Sequence, residues 1–161
     1  MAVDAAHKSK WKIGEVVFGV PFLLGVALQF AVPLTAPPGA LRWILALTGG
    51  VLVIAAVALV AAARRELARF RQPTDPGHPT SKLVTTGVFA ISRNPLYLGG
   101  ALLLLGIALA FNLLWAVLAV ALATIICRYA LIAPEERYLA ARFGTAYAEY
   151  CASVRRWLGR R

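Results

Sequence analysis

Three long uncharged runs, parted by short polar or basic stretches, set the pattern of this chain, and the third is long enough to be two elements. Val16 to Leu34 contains no charged side chain. About 20 helical residues cross a bilayer core, so a first membrane span is expected over residues 13–34, kinked or ended by Pro21 and Pro33. Glu15 at its start is expected to form an interfacial ion pair near Lys10 and Lys12. A turn from Thr35 to Gly39, carrying Pro37 and Pro38, precedes a second span over 42–63. Trp43 can anchor that span at the interface, and Ala46, Gly50 and neighbouring alanines offer small faces for close helix contact.

The third run, Leu96 to Cys127, would extend about 48 Å as one helix, against a hydrocarbon core of about 30 Å. Asn112 stands in its middle and can form a turn. A hairpin of two spans, 96–111 and 113–133, is therefore expected. Four spans place the basic start, the basic loop and the basic tail on one side, as the positive-inside tendency requires.

The polar segments then become informative. Over 64–95, Arg64, Arg65, Arg69, Arg71 and Lys82 accompany QPTDPGHPTS, which reads as a loop at the membrane surface. Arg64 to Phe70 can continue the second helix beyond the lipid, while the prolines and Gly77 prevent regular structure afterwards. His78 stands alone there as a solvated loop histidine. The loop ends in TGVFAISRNPLYLGG, residues 86–100. Asn94 is expected to cap a helix by accepting from an early N–H, with Pro95 at the first helical position. Arg93 and the free N–H groups of this helix start can hold an anion. After the hairpin, residues 134–161 form an amphipathic tail. Leu139, Phe143, Tyr147, Tyr150, Val154 and Trp157 recur every three or four positions, the pattern of a helix lying on a membrane or on its own bundle. Gly144 is expected to break that helix in two. Glu135 and Glu136 suit the first turn after Pro134, one as a cap and the other paired with an arginine.

Composition agrees with this reading. The 161 residues are 60% hydrophobic and 15% charged, with a mean hydropathy of +0.73. The formal charge of +10 arises from residues at the ends of apolar runs, so a membrane surface and not a nucleic acid is the expected partner. Cys127 and Cys151 are too few for a disulfide scaffold and lack metal-ligand spacing, so both are expected to be reduced, with no metal bound. The basic start before an apolar run is like a signal peptide, but the run is too long for one.

Both ends of the hairpin emerge on the same side, so Ser92–Tyr97 and Arg128–Arg137 should be neighbours, forming a pocket open to water and to the bilayer. The pattern TGVFAISRNPLYLG, an apolar hairpin, then PEERYLAARFGTAYAEYCASVRRWL resembles the isoprenylcysteine carboxyl methyltransferase and phospholipid methyltransferase superfamily of integral membrane enzymes. Arg93, Pro95 and Tyr97 match its Arg-His-Pro-x-Tyr motif, and Glu135, Glu136, Phe143, Gly144, Tyr147 and Tyr150 match the second cluster. Asn94 stands in place of the histidine and cannot titrate near neutrality. The resemblance covers about the last half of the chain.

That resemblance implies a methyltransferase that uses S-adenosylmethionine, with a lipophilic acceptor arriving from the bilayer and both termini and the cofactor site in the cytoplasm. The expected location is the inner (plasma) membrane of a prokaryote. Carried over residue by residue, Arg93, Asn94, Pro95, Tyr97, Glu135, Glu136 and Tyr147 become cofactor contacts, with the backbone near Gly87 and Leu98 against the adenine. Arg128, or an arginine of the tail, is the candidate for orienting an acceptor carboxylate, and Glu136 the candidate base for an amine. Plentiful arginines favour O-methylation of a carboxylate such as an isoprenylcysteine-like compound; phospholipid amine N-methylation is the alternative. A small four-helix transporter is the alternative of another class, but charge-free helix cores count against it.

Overall fold

The computed structural model describes residues 14–74 and 79–161. The chain start, with Lys10 and Lys12, the signal-like segment and His78 lie outside the described residues. Within them the fold is all-helical, apart from an isolated bridge between Val154 and Arg160. In order come α1 (Gly14–Ala31), α2 (Ala40–Arg69), a short 3-10 turn (Gly87–Ala90), α3 (Pro95–Ala110), α4 (Leu114–Cys127), a π turn (Arg128–Ile132) and α5 (Ala133–Ser153). Three helical stretches are long and apolar enough to cross a membrane. The shorter α3 has 16 residues and lies antiparallel between its neighbours.

The helices pair as α2 with α3 and α1 with α4, and glycines explain why. A Cβ on Gly49 would stand 2.5 Å from Gly106 O and from Ala110 N, and one on Gly106 2.7 Å from Gly49 O. Gly99 faces Val60 and Ala56 in the same seam. Seven-residue spacing brings Gly49, Ala56 and Ala63 onto one face of α2, and all three are buried. Because lipid tails are as apolar as leucine, close backbone approach has to supply the association. The seam therefore runs through Gly49; the expected Gly50 has open space beside it. Gly25 makes the equivalent approach to Ala116 between α1 and α4. Large side chains such as Leu23, Phe30, Leu47, Ile54 and Leu122 remain exposed on the outer faces, where lipid suits them.

Each turn has a local cause. Pro21 is accommodated inside α1, which continues to Ala31. Helix α2 runs on past the apolar stretch to Arg69 and closes with Arg71 at φ 53, while Gln72 N–H donates to Leu67 O. The hairpin turns at Asn112, with φ 58 and Leu113 N–H bonded to Ala108 O, the same left-handed closure. The Asn112 side chain also accepts from Ala36 N–H at 2.9 Å and donates to Ala36 O at 3.2 Å, tying the two loops at this end together. Trp115 Nε1 donates to Val32 O beside them.

At the opposite end α5 begins at Ala133, with Pro134, Glu135 and Glu136 in its first turn as expected, but no gap separates it from the preceding span. Pro134 has no N–H to offer Ala130 O, and the ladder widens instead of stopping. Ala133 N–H donates to Arg128 O, five residues back, and the helix passes through the π turn into α5. The break falls at Gly144, whose φ 51 and ψ −121 lie outside helical space. Beyond it Tyr147, Tyr150 and Val154 pack with Leu83, Leu139 and Phe143, so the apolar face of the tail covers its own loop. Trp157 packs against the bundle core near Phe18, Cys127 and Leu131.

Candidate active site

The loop before α3 is held in place by the tail. Arg93 N–H donates to Arg155 O at 3.2 Å, Gly159 N–H donates to Ile91 O at 2.7 Å, and the Tyr150 hydroxyl donates to Phe89 O at 2.6 Å. Ser92 is fully buried and its Oγ accepts from Asn94 N–H at 3.2 Å. Asn94 precedes α3 as expected, and its carbonyl accepts from Leu98 N–H at 3.0 Å. Its side chain makes no capping bond, contrary to expectation; the amide instead donates to Arg156 O at 3.2 Å. The residue in the histidine position thus links α3 to the chain terminus.

This arrangement leaves an open cleft of about 450 Å³ between α5, the tail and Arg93. Its polar centre is Glu136. Arg93 Nη1 lies 3.1 Å from Glu136 Oε1, and Arg156 grips the same carboxylate through Nε at 2.9 Å and Nη2 at 2.8 Å. Arg93 Nη1 also donates to the Tyr147 hydroxyl at 3.3 Å and contacts Cys151. Helical spacing explains the walls: Ala133, Glu136, Arg137 and Ala140 share one face of α5, while Tyr147 and Cys151 share a face after Gly144. Burial holds the Tyr147 phenol above its usual range, so it stays protonated and can donate. Two buried atoms near this centre have no hydrogen-bond partner among the described residues, Arg93 Nε and Glu135 Oε2.

Of the residues singled out in the sequence, Arg93, Glu136 and Tyr147 come together in the cleft wall. Tyr97 and Glu135 face each other next to it, and Pro95 is buried at the start of α3. Leu98 is half-buried and Gly87 stands against the Glu66 carboxylate, whose Oε1 accepts from the Thr86 hydroxyl; neither residue lines the cleft. Arg128 is not brought to it either. Cys127 and Leu131 occupy the inner face of that stretch, so Arg128 is turned outward, exposed, with its guanidinium 5.3 Å from the Tyr129 ring centre. Arg137 and Arg156, two of the tail arginines the sequence offered without choosing between them, line the cleft, as does Cys151, which had not been singled out. Four-residue spacing from Tyr147 pointed to Cys151, and the expected glutamate–arginine pair pointed to an arginine without saying which. Among the described residues no group of three or more side chains could hold a metal ion.

An all-helical bundle with leucines on its outer faces and a charged cleft at one end has the architecture of an integral membrane protein. The model of the phospholipid methyltransferase family matches residues 44–146, and the chain belongs to that family. It is accordingly a membrane methyltransferase acting on lipid. The match takes in α2, which carried no signature of its own, and stops before Tyr147, Cys151 and Arg156. No curated protein and no solved structure matches the chain.

Proposed function

We propose that the cleft binds S-adenosylmethionine and that the protein transfers the cofactor's sulfonium methyl group to a lipid reaching the site from the bilayer. The observation that carries this reading is Arg93 Nε, a buried donor without a partner beside the Glu136 carboxylate. An amino-acid zwitterion fits such a pair, its carboxylate accepting from Arg93 and its ammonium meeting Glu136. The cleft volume of about 450 Å³ falls in the usual range for a ligand of cofactor size. Bound there, the cofactor would supply an activated methyl group, so the protein needs no nucleophile of its own. Arg93, Glu136 and Tyr147 would orient the donor, and α5 with Trp157 would keep water from the reacting atoms.

The clustering of Arg64, Arg65, Arg69, Arg71 and the tail arginines at the cleft end, against Arg42 alone near the other end, supports a cytoplasmic cleft and cytoplasmic termini. For the acceptor, a carboxylate of the isoprenylcysteine type needs a cation to orient it. Arg93 and Arg156 hold Glu136 and Arg128 lies outside the cleft, so Arg137, which lines it and donates through Nε to Ala133 O, is the arginine that would orient such a carboxylate; an amine-bearing phospholipid is the second acceptor class. Calorimetric titration of the purified protein with S-adenosylmethionine tests the cofactor: one site is expected in the parent and none in Arg93→Ala. Absence of binding by the parent would sink the reading. Labelled methyl transferred into membrane lipid then distinguishes the acceptors, a base-labile label marking an ester and a stable one an amine.

A further inference from the structure

The chain has two cysteines, and the fold treats them differently. Cys127 is fully enclosed in the core that α4 shares with α1 and α3. Cys151 is partly exposed and lines the cleft. It stands one turn after Tyr147, and packing beside Tyr147, Tyr150 and Val154 fixes its position. Arg93 Nη1 donates to its Sγ at 2.7 Å, from a side chain 7% exposed whose Nε has no partner among the described residues. The guanidiniums of Arg93, Arg137 and Arg156 line the cleft against the single carboxylate of Glu136. A cysteine needed only for packing would be enclosed as Cys127 is. Here a partly exposed sulfur, a buried cation in contact with it and an excess of positive charge meet in one open cleft, the surroundings in which thiols exchange with disulfides.

We propose that Cys151 is a modification site for small disulfides bearing carboxylates, and that the mixed disulfide it forms fills the cleft and shuts out the cofactor, the exclusion resting on the S-adenosylmethionine reading above. The Cys151 sulfur, as its thiolate, attacks one sulfur of the disulfide. A new S–S bond forms to Cys151 and the original S–S bond breaks. Its electron pair leaves with the departing thiolate, which takes up the proton that Cys151 gave up. The protein thiol is thereby oxidised and half of the small disulfide is reduced to a free thiol. The attached half keeps its carboxylates, for which Arg93 Nε and the Arg137 guanidinium offer donors. A cleft of about 450 Å³ takes a group of glutathione size, which then occupies the space where Arg93, Glu136 and Tyr147 would hold the methyl donor. Excess small thiol reverses the exchange, so the adduct is a switch and not damage. Selection is by charge: a disulfide carrying ammonium groups meets the same sulfur, but the guanidiniums around it repel the approach.

The test treats the purified full chain in detergent with oxidised glutathione or with the cationic disulfide cystamine, and follows intact mass and peptide maps. Each rate is normalised to that of the same disulfide with a short neutral cysteine peptide. One adduct per chain is expected, on Cys151 and not on the enclosed Cys127. At low salt its normalised rate should be about tenfold or more higher with oxidised glutathione than with cystamine, the gap narrowing as salt is added. The adduct should lose calorimetric binding of S-adenosylmethionine and regain it with dithiothreitol. Cys151→Ser should take no adduct and bind the cofactor equally before and after treatment. Because the peptide map is read on the parent, the site is decided even if Cys151→Ser does not fold. No adduct under conditions that modify the peptide, an adduct on Cys127 instead, equal normalised rates with the two disulfides at low salt, or unchanged cofactor affinity in the adduct overturns the proposal. Failure of the untreated parent to bind S-adenosylmethionine overturns the cofactor reading instead, and the mass and rate measurements then still decide the modification site.

Discussion

Replacing Glu136 by glutamine removes one negative charge and retains the shape, so its consequences can be worked from the two arginines it holds. Arg93 is the decisive one. Its side chain is 7% exposed against 19% for Glu136 and 29% for Arg156. An unpaired guanidinium as buried as Arg93 costs about 3–5 kcal/mol. The Arg156 pair has good bidentate geometry but one partner nearly a third in water, which limits it to about 1 kcal/mol or less. Gln keeps one acceptor oxygen and recovers about 1 kcal/mol. The expected net loss is about 3 kcal/mol, or about 6–12 °C in melting temperature for a chain of this length. Thermal unfolding in detergent, followed by tryptophan fluorescence, would measure it, and double-mutant cycles with Arg93→Gln and Arg156→Gln would divide it. A coupling energy of about 2 kcal/mol or more is expected for Glu136 with Arg93, and less than about 1 kcal/mol with Arg156. Equal couplings, or a melting temperature within about 2 °C of the parent, would refute the assignment of Arg93 as the buried partner.

Gly49→Ala should destabilise the α2–α3 seam by about 1–3 kcal/mol, since its Cβ would meet backbone atoms at 2.5 Å; Gly50→Ala, with open space beside it, should melt like the parent. Asn112→Ala should cost about 2–4 kcal/mol by leaving Ala36 N–H and C=O unmatched and straining the left-handed backbone, whereas Asn112→Gly should lose only the hydrogen-bonded part; similar melting of the two would show that backbone strain contributes nothing. Glu135 binds its proton more tightly folded than unfolded, so its contribution to stability is full below 4.5 and is lost as pH rises through about 7. Glu135→Gln should therefore match the parent in acid and exceed it above neutrality by up to about 3 kcal/mol, and denaturation curves with the same pH dependence for both proteins would contradict this.

The helical hairpin and the start of α3 at Asn94-Pro95 were legible in the sequence, because both follow from rules acting over a few residues: a run too long for one span, a proline at the first helical position, an asparagine able to take positive φ. The continuation through Pro134 was not. Whether a proline ends a helix or widens it into a π turn depends on what holds the next turn, and here Glu136 is held by Arg93 and Arg156. The same applies to Asn94, whose side chain chose a distant carbonyl over the local cap.

For the site, the sequence by itself determined which chemical groups were present and that both clusters lie at one end of the bundle. It also carried the family resemblance, since motif spacing survives in a single chain. Only the tertiary structure decided between neighbours that look alike in one dimension. Gly49 and not Gly50 meets α3, Arg156 and not Arg128 joins the cleft, and Glu136 is paired while Glu135 is buried without a counter-charge. The reason is angular. One residue along a helix is about 100° around it, and the face that turns inward is fixed by packing between elements far apart in the chain.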